Sequence, residues 1–357
     1  MDIGNAAVAG RAPSSVVGAQ HHAQHGKHAP QHPAKRAPRH AKHAPAHQPG
    51  TPPTRAKHRA KKIQLPTTPI GPPAGASTVI VELEGAGGRS VVLGSAEVAI
   101  QNKSLTNGER QAIANAVRAV RYLHARYGFS GVDAAGSAVH LLLRSSQADE
   151  RGPFADNVRI TAGGRNPLLP TGSTAAAADE ILPYDVVLHE LTHVMQFTRL
   201  GAGWSGLQSQ LAEGMADAVS MLATRDWTIG EAYYRDANGA SAKSIREIAR
   251  GAVRHTGEPV VFDWRKVRDG QVEEHAAGAV LSRTMYEIEL RLGHERAEQL
   301  AAAMVNDQQV WVGGGSWQST AAAFARLGAT LWAGDIVASQ AVADALAATH
   351  LNEALRA

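Results

Sequence analysis

Residues 189–193 read His-Glu-Leu-Thr-His, and this pentad constrains the chain more than any other stretch because it asks for a helix with both imidazoles on one face. Side chains four apart on an α-helix stand one above the other, and neutral imidazole is a favoured zinc ligand. Glu190 follows the first imidazole directly, so its carboxylate can reach a water at the metal rather than the metal itself. The flanks also read as helix. Pro183 suits a first helical position and Gly201 a stop, with Val186, Val187, Leu188, Leu191, Val194, Met195 and Phe197 apolar between them. The competing reading is a chance pattern on a surface helix.

A second segment argues against chance. Catalytic zinc usually takes three protein ligands and keeps a fourth position open. Leu211-Ala212-Glu213-Gly214-Met215-Ala216-Asp217 supplies Glu213 as a third ligand, with Asp217 one turn on along the same face. Asp217 can accept the free N–H of a ligand histidine and fix its tautomer. The alternative is a solvated carboxylate stripe, which the apolar Met215, Ala216, Val219, Met221 and Leu222 disfavour.

These residues resemble the thermolysin-like neutral metalloproteases. The likeness runs from DVVLHELTHVMQF to LAEGMADAVS, then through Asp226-Trp227-Thr228-Ile229-Gly230-Glu231 and SIREI around Arg246 to His275 and Tyr286. Upstream it touches GRSVVLG and the helix before SAVHLLL, so it spans roughly residues 78–350 and is strongest around the two zinc helices. It implies an α+β, two-lobed metalloprotease: a β-rich N-lobe over 77–205 ending in the HELTH helix, and an α-helical C-lobe over 206–357, with the zinc helix between them.

The resemblance also implies roles. His275 would stabilise the oxyanion, with Asp269, one position off the family spacing, as its orienting partner. Arg246 would bind a substrate carbonyl, and Val186, Ile229 and Ile245 would line the prime-side pocket; an exposed salt bridge and plain core packing are the respective alternatives. Asp185, Asp226 and Glu231 match calcium positions, with room for one ion rather than a pair, against the alternative of N-cap and surface acids. Three places depart from the family. Trp204 stands where it has a tyrosine, Arg151-Gly152-Pro153-Phe154 replaces its substrate-binding strand edge, and Thr161-Ala162-Gly163-Gly164 lacks its acidic loop.

Charge is divided unevenly. Residues 1–62 carry 11 Lys/Arg against one acid, a net of +10, while the remainder nets −6. Residues 1–76 are rich in Ala, Pro, His, Lys and Arg and poor in large apolar side chains, so a disordered tail is expected. It would serve as a spacer, bind metal through its nine histidines, or contact anionic surfaces electrostatically. With no cysteine, disulfides are excluded, and no apolar run is long enough to span a bilayer. The N-terminus lacks a recognisable signal peptide. Secretion or export by another route is the favoured expectation, with the cytoplasm as alternative.

Alternation over 78–102 predicts a hairpin or meander, and Ile113, Val117, Val120 and Leu123 predict a helix starting at a capping Asn107 and ending at Gly128. Short strands are expected at 137–143 and 158–161, a loop at 163–178, and helices near 294–305, 317–327 and 336–349. The reading is a monomeric zinc endopeptidase that cuts a peptide or protein on the amino side of apolar residues, with Glu190 as base. Its rivals are a zinc-bearing pseudoprotease and a peptide-binding interaction protein.

Overall fold

The computed structural model describes residues 78–85, 87–132, 136–151, 153–164, 181–200, 206–234, 245–249, 261–267, 272–311 and 315–356. The basic tail, Trp204, Asp269 and most of the expected loop at 163–178 lie outside them.

Strands β1 (Val79–Glu84) and β2 (Ser90–Ser95) form the expected antiparallel hairpin. The alternation does not continue into a third strand. Gly94 takes φ 110, and the chain turns into a short helix, α1 (Ala96–Ala99), which leaves Val98 exposed. Helix α2 (Asn107–Tyr127) follows. Its cap is Thr106, one residue before the expected Asn107, because Thr106 and Glu109 satisfy each other's backbone N–H groups in a capping box. Gly128 ends the helix in the left-handed conformation that glycine adopts without strain.

After α2 come β3 (Val139–Leu143), α3 (Ser146–Arg151), β4 (Phe154–Ala155) and β5 (Arg159–Thr161). The sheet order is β2-β1-β3-β5-β4, so β3 pairs in parallel with β1 across the α2 crossover. Val79, Val81 and Leu83 lie opposite Val139, Leu141 and Leu143, and these six side chains make one apolar face in the core. β4 closes the far edge and packs against α4 (Tyr184–Leu200), the helix that carries the pentad.

Helix α5 (Leu207–Thr224) packs against α4. A two-stranded ribbon, β6 (Thr228–Ile229) with β7 (Arg246–Glu247), then leads to α6 (Glu274–Leu292). The chain finishes in α7 (His294–Asn306), α8 (Gln308–Trp311), α9 (Trp317–Leu331) and α10 (Ile336–Ala348), close to the three segments expected from the Ala/Leu periodicity. The fold is α+β, with the five-stranded sheet built before Tyr184 and a helical majority after it. Among the described residues no helix is long and apolar enough to cross a membrane.

Candidate metal centre

Helix α4 places His189, Glu190 and His193 on its buried side, each less than a tenth exposed. The two imidazoles stand edge to face with Nε2 atoms 3.1 Å apart. Glu213, on α5, meets both: one carboxylate oxygen lies 3.1 Å from His189 Nε2 and the other 3.4 Å from His193 Nε2. His275, in the first turn of α6, brings its Nε2 to 3.1 Å from Glu213 Oε2. One ligand atom each from His189, Glu213 and His275 also falls within 4.8 Å of the others. Three imidazoles thus surround one carboxylate.

The outer nitrogens are held as well. His189 Nδ1 lies 2.9 Å from Asp217 Oδ1, and that same oxygen accepts a hydrogen bond from Arg246 Nη2 at 2.6 Å. His193 Nδ1 pairs at 3.0 Å with Gln196 Oε1, while Gln196 Nε2 donates to the Ala212 carbonyl on α5. Gln196 escaped the sequence reading, although its position three residues after His193 on one helix face was a usable signal.

Electrostatics follow from burial and this crowding. Burial opposes a charge on His189, but the Asp217 and Glu213 carboxylates outweigh it and raise the imidazole to about 10. Burial likewise works against ionised Glu213, yet the imidazoles of His275 and His193 hold it well below the carboxylate range. Asp217 is lowered in the same way, with Arg246 the main opponent of its burial. Glu190 goes the other way: burial raises its carboxyl, and the neighbouring imidazoles offset only part of the rise.

The donor set suits zinc. Tetrahedral coordination with bonds near 2.0–2.1 Å sets ligand atoms about 3.3 Å apart. His189 Nε2 and His193 Nε2 lie 3.1 Å apart, and the two Glu213 oxygens lie 3.1 Å from the first and 3.4 Å from the second, each close to that edge. Glu213 Oε2 is also buried without a hydrogen bond of acceptable geometry, an arrangement that is costly unless a cation or proton meets it.

The remaining expected residues divide. Arg246 is buried rather than exposed, and its Nε has no hydrogen-bond acceptor among the described residues. Val186 and Ile229 sit in the core, and Ile245 is half-buried over Gly230, where a Cβ would strike its side chain. Calcium gains no support. Asp185 spends one oxygen on Val186 N–H and the other on Gly230 N–H, and Asp185, Asp226 and Glu231 form no metal-binding group among the described residues. Asp185 instead ties the start of α4 to the β6 turn.

No protein-family model matches the chain, and no curated protein does. Among solved structures the chain is similar to the precursor of protealysin, a metalloproteinase from Serratia proteamaculans. The identity is 15%, the TM-score 0.58, and the match covers 78% of this chain and 88% of that one, a likeness of fold.

Proposed function

We propose that this chain is a zinc-dependent endopeptidase of thermolysin-like type. The observation that carries the reading is the set of mutual separations, 3.1–3.4 Å, among His189, His193 and Glu213. These three would hold the metal. His193 is preferred to His275 as a ligand because its Nε2 approaches both His189 and Glu213, and its Nδ1 is held from within the core by Gln196. When bound, zinc supplies a Lewis acid that polarises a carbonyl and acidifies water.

Glu190 stands one residue from the first ligand with its carboxyl raised by burial, which suits a group that takes a proton and returns it. In this reading it removes a proton from the attacking water and delivers it to the leaving amine. His275 donates from Nε2 to the developing oxyanion. Arg246, fixed through Nη2 by Asp217, is the residue that the thermolysin-like reading assigns to a substrate carbonyl. The β4 edge at Phe154–Ala155, beside α4, would receive an extended peptide as an added strand, with Pro153 lacking one donor.

Ile245, half-buried against the core that holds Val186 and Ile229, would favour Leu, Ile, Val or Phe after the cut, with the ~1–3 kcal/mol discrimination of an apolar pocket. Cleavage of a peptide library, with and without a chelator, tests the reading. Chelator-sensitive cuts before apolar residues support it. Cleavage that survives chelation, or that is absent from the zinc-loaded chain, rejects it.

A further inference from the structure

We propose that Glu273 is the positioning residue of His275, capping α6 with one carboxylate oxygen and holding the imidazole with the other. Glu273 Oε2 accepts from Ala276 N–H at 3.0 Å, and Glu273 Oε1 lies 2.6 Å from His275 Nδ1. The backbone of Glu273 is extended, at φ −58 and ψ 145, so its side chain folds back over the first turn of the helix. On the far side of the ring, His275 Nε2 faces Glu213 Oε2 at 3.1 Å. Glu273, His275 and Glu213 therefore form one line that ends at the candidate metal centre.

The chemistry of the pair follows from donors and acceptors. An ionised carboxylate only accepts, so Nδ1 carries a proton and the ring is fixed about its two side-chain bonds. With Nδ1 held by Glu273, Nε2 is the atom turned toward the centre. Without that partner the ring, whose side chain is 33% exposed, loses its Nδ1 anchor and keeps the Nε2 approach to Glu213. The sequence reading gave this role to Asp269, which lies outside the described residues.

Capping alone does not account for Glu273. Asn, Asp, Ser and Thr are the preferred N-caps, and a shorter side chain would serve the Ala276 N–H as well. The reach of glutamate is what spans to a ring two residues on. Both members are substantially exposed, at 33% and 42% of their side chains, so the pair contributes little to stability and its loss separates from unfolding.

The proposal rests on the reading of His275 as an oxyanion donor, and the test keeps the two apart. Kinetics on the zinc-loaded full chain would compare the parent with Glu273→Ser, Glu273→Gln, His275→Ala and the Glu273→Ser/His275→Ala double variant. Serine retains the cap and removes the contact with the ring. We expect Glu273→Ser to lower kcat about 10–100-fold, with little change in KM or melting temperature. Glu273→Gln, which keeps a neutral acceptor, should fall between Glu273→Ser and the parent, and the double variant should match His275→Ala. Nitrogen NMR of histidine-labelled protein gives an activity-independent readout: the parent should show His275 protonated at Nδ1, and Glu273→Ser a mixture of tautomers. If no chain cleaves peptide, the peptidase reading fails while the NMR still decides the positioning role. Parent-like kcat in Glu273→Ser, an additive double variant, or an unchanged Nδ1 signal would overturn the proposal.

Discussion

Gly214 and Gly278 meet backbone to backbone where α5 crosses α6: a methyl group on Gly278 would lie 2.6 Å from the Gly214 nitrogen and 2.7 Å from the Gln210 carbonyl oxygen. Gly214 is the neighbour of Glu213, and Gly278 stands one turn after His275. The crossing therefore sets how closely His275 approaches Glu213.

Gly278→Ala should force these helices apart. The alanine gains about 1 kcal/mol of helix propensity, and the overpacking costs about 1–3 kcal/mol, so modest destabilisation is expected. Because the displaced helix carries His275, kcat should fall further than the melting temperature implies. Parent-like turnover in a folded Gly278→Ala protein would show that the crossing does not set the distance.

His193→Ala should abolish binding of one zinc per chain, since it removes one of the three mutually spaced donors. Gln196→Ala should keep the site but weaken it by about 10–100-fold, the usual effect of losing a ligand's outer hydrogen bond. Titration against a competing chelator measures both, with the chelator strong enough to strip weak histidine sites in the tail.

Glu190→Gln should retain zinc and lose peptide cleavage by ~10²–10⁴-fold, because the base is removed while the ligands stay. Activity within a few-fold of the parent would assign the proton transfer elsewhere.

Glu109 provides a pH test away from the centre. Burial works against its charge, but the Arg144 guanidinium and the Thr106 N–H outweigh it and lower the carboxyl below its ordinary value of 4.5. A depressed folded value means the contribution is fully present above pH 4.5 and is lost as pH falls through the folded value. Glu109→Gln should cost about 1–3 kcal/mol at neutral pH and flatten the acid limb of a urea-stability profile. An equally steep acid limb would exclude Glu109 as a contributor.

Deleting residues 1–76 should reduce binding to anionic vesicles, and the difference from the full chain should vanish as salt rises, because a net +10 over residues 1–62 acts through screened charge. Retention that is unchanged by deletion, or insensitive to salt, would assign the attraction to another surface.

The sequence by itself determined what is local. The i, i+4 spacing of His189 and His193 puts two imidazoles on one face whatever the rest of the chain does, and the same holds for Glu213 and Asp217. Periodicity also marked α2 and the closing helices, because amphipathic spacing is written within each segment. Tertiary structure decided which faces meet. Alternation announced β1 and β2 but not that β3 would pair in parallel on the other side of β1, since an alternating strand carries no label for its neighbour. Sequence spacing alone also could not show that one Asp217 oxygen serves both His189 and Arg246, that Gln196 links His193 to α5, or that Glu273 stands at the ring of His275. Such contacts depend on how closely two backbones pack, and at Gly214 and Gly278 that distance exists only because neither residue has a side chain.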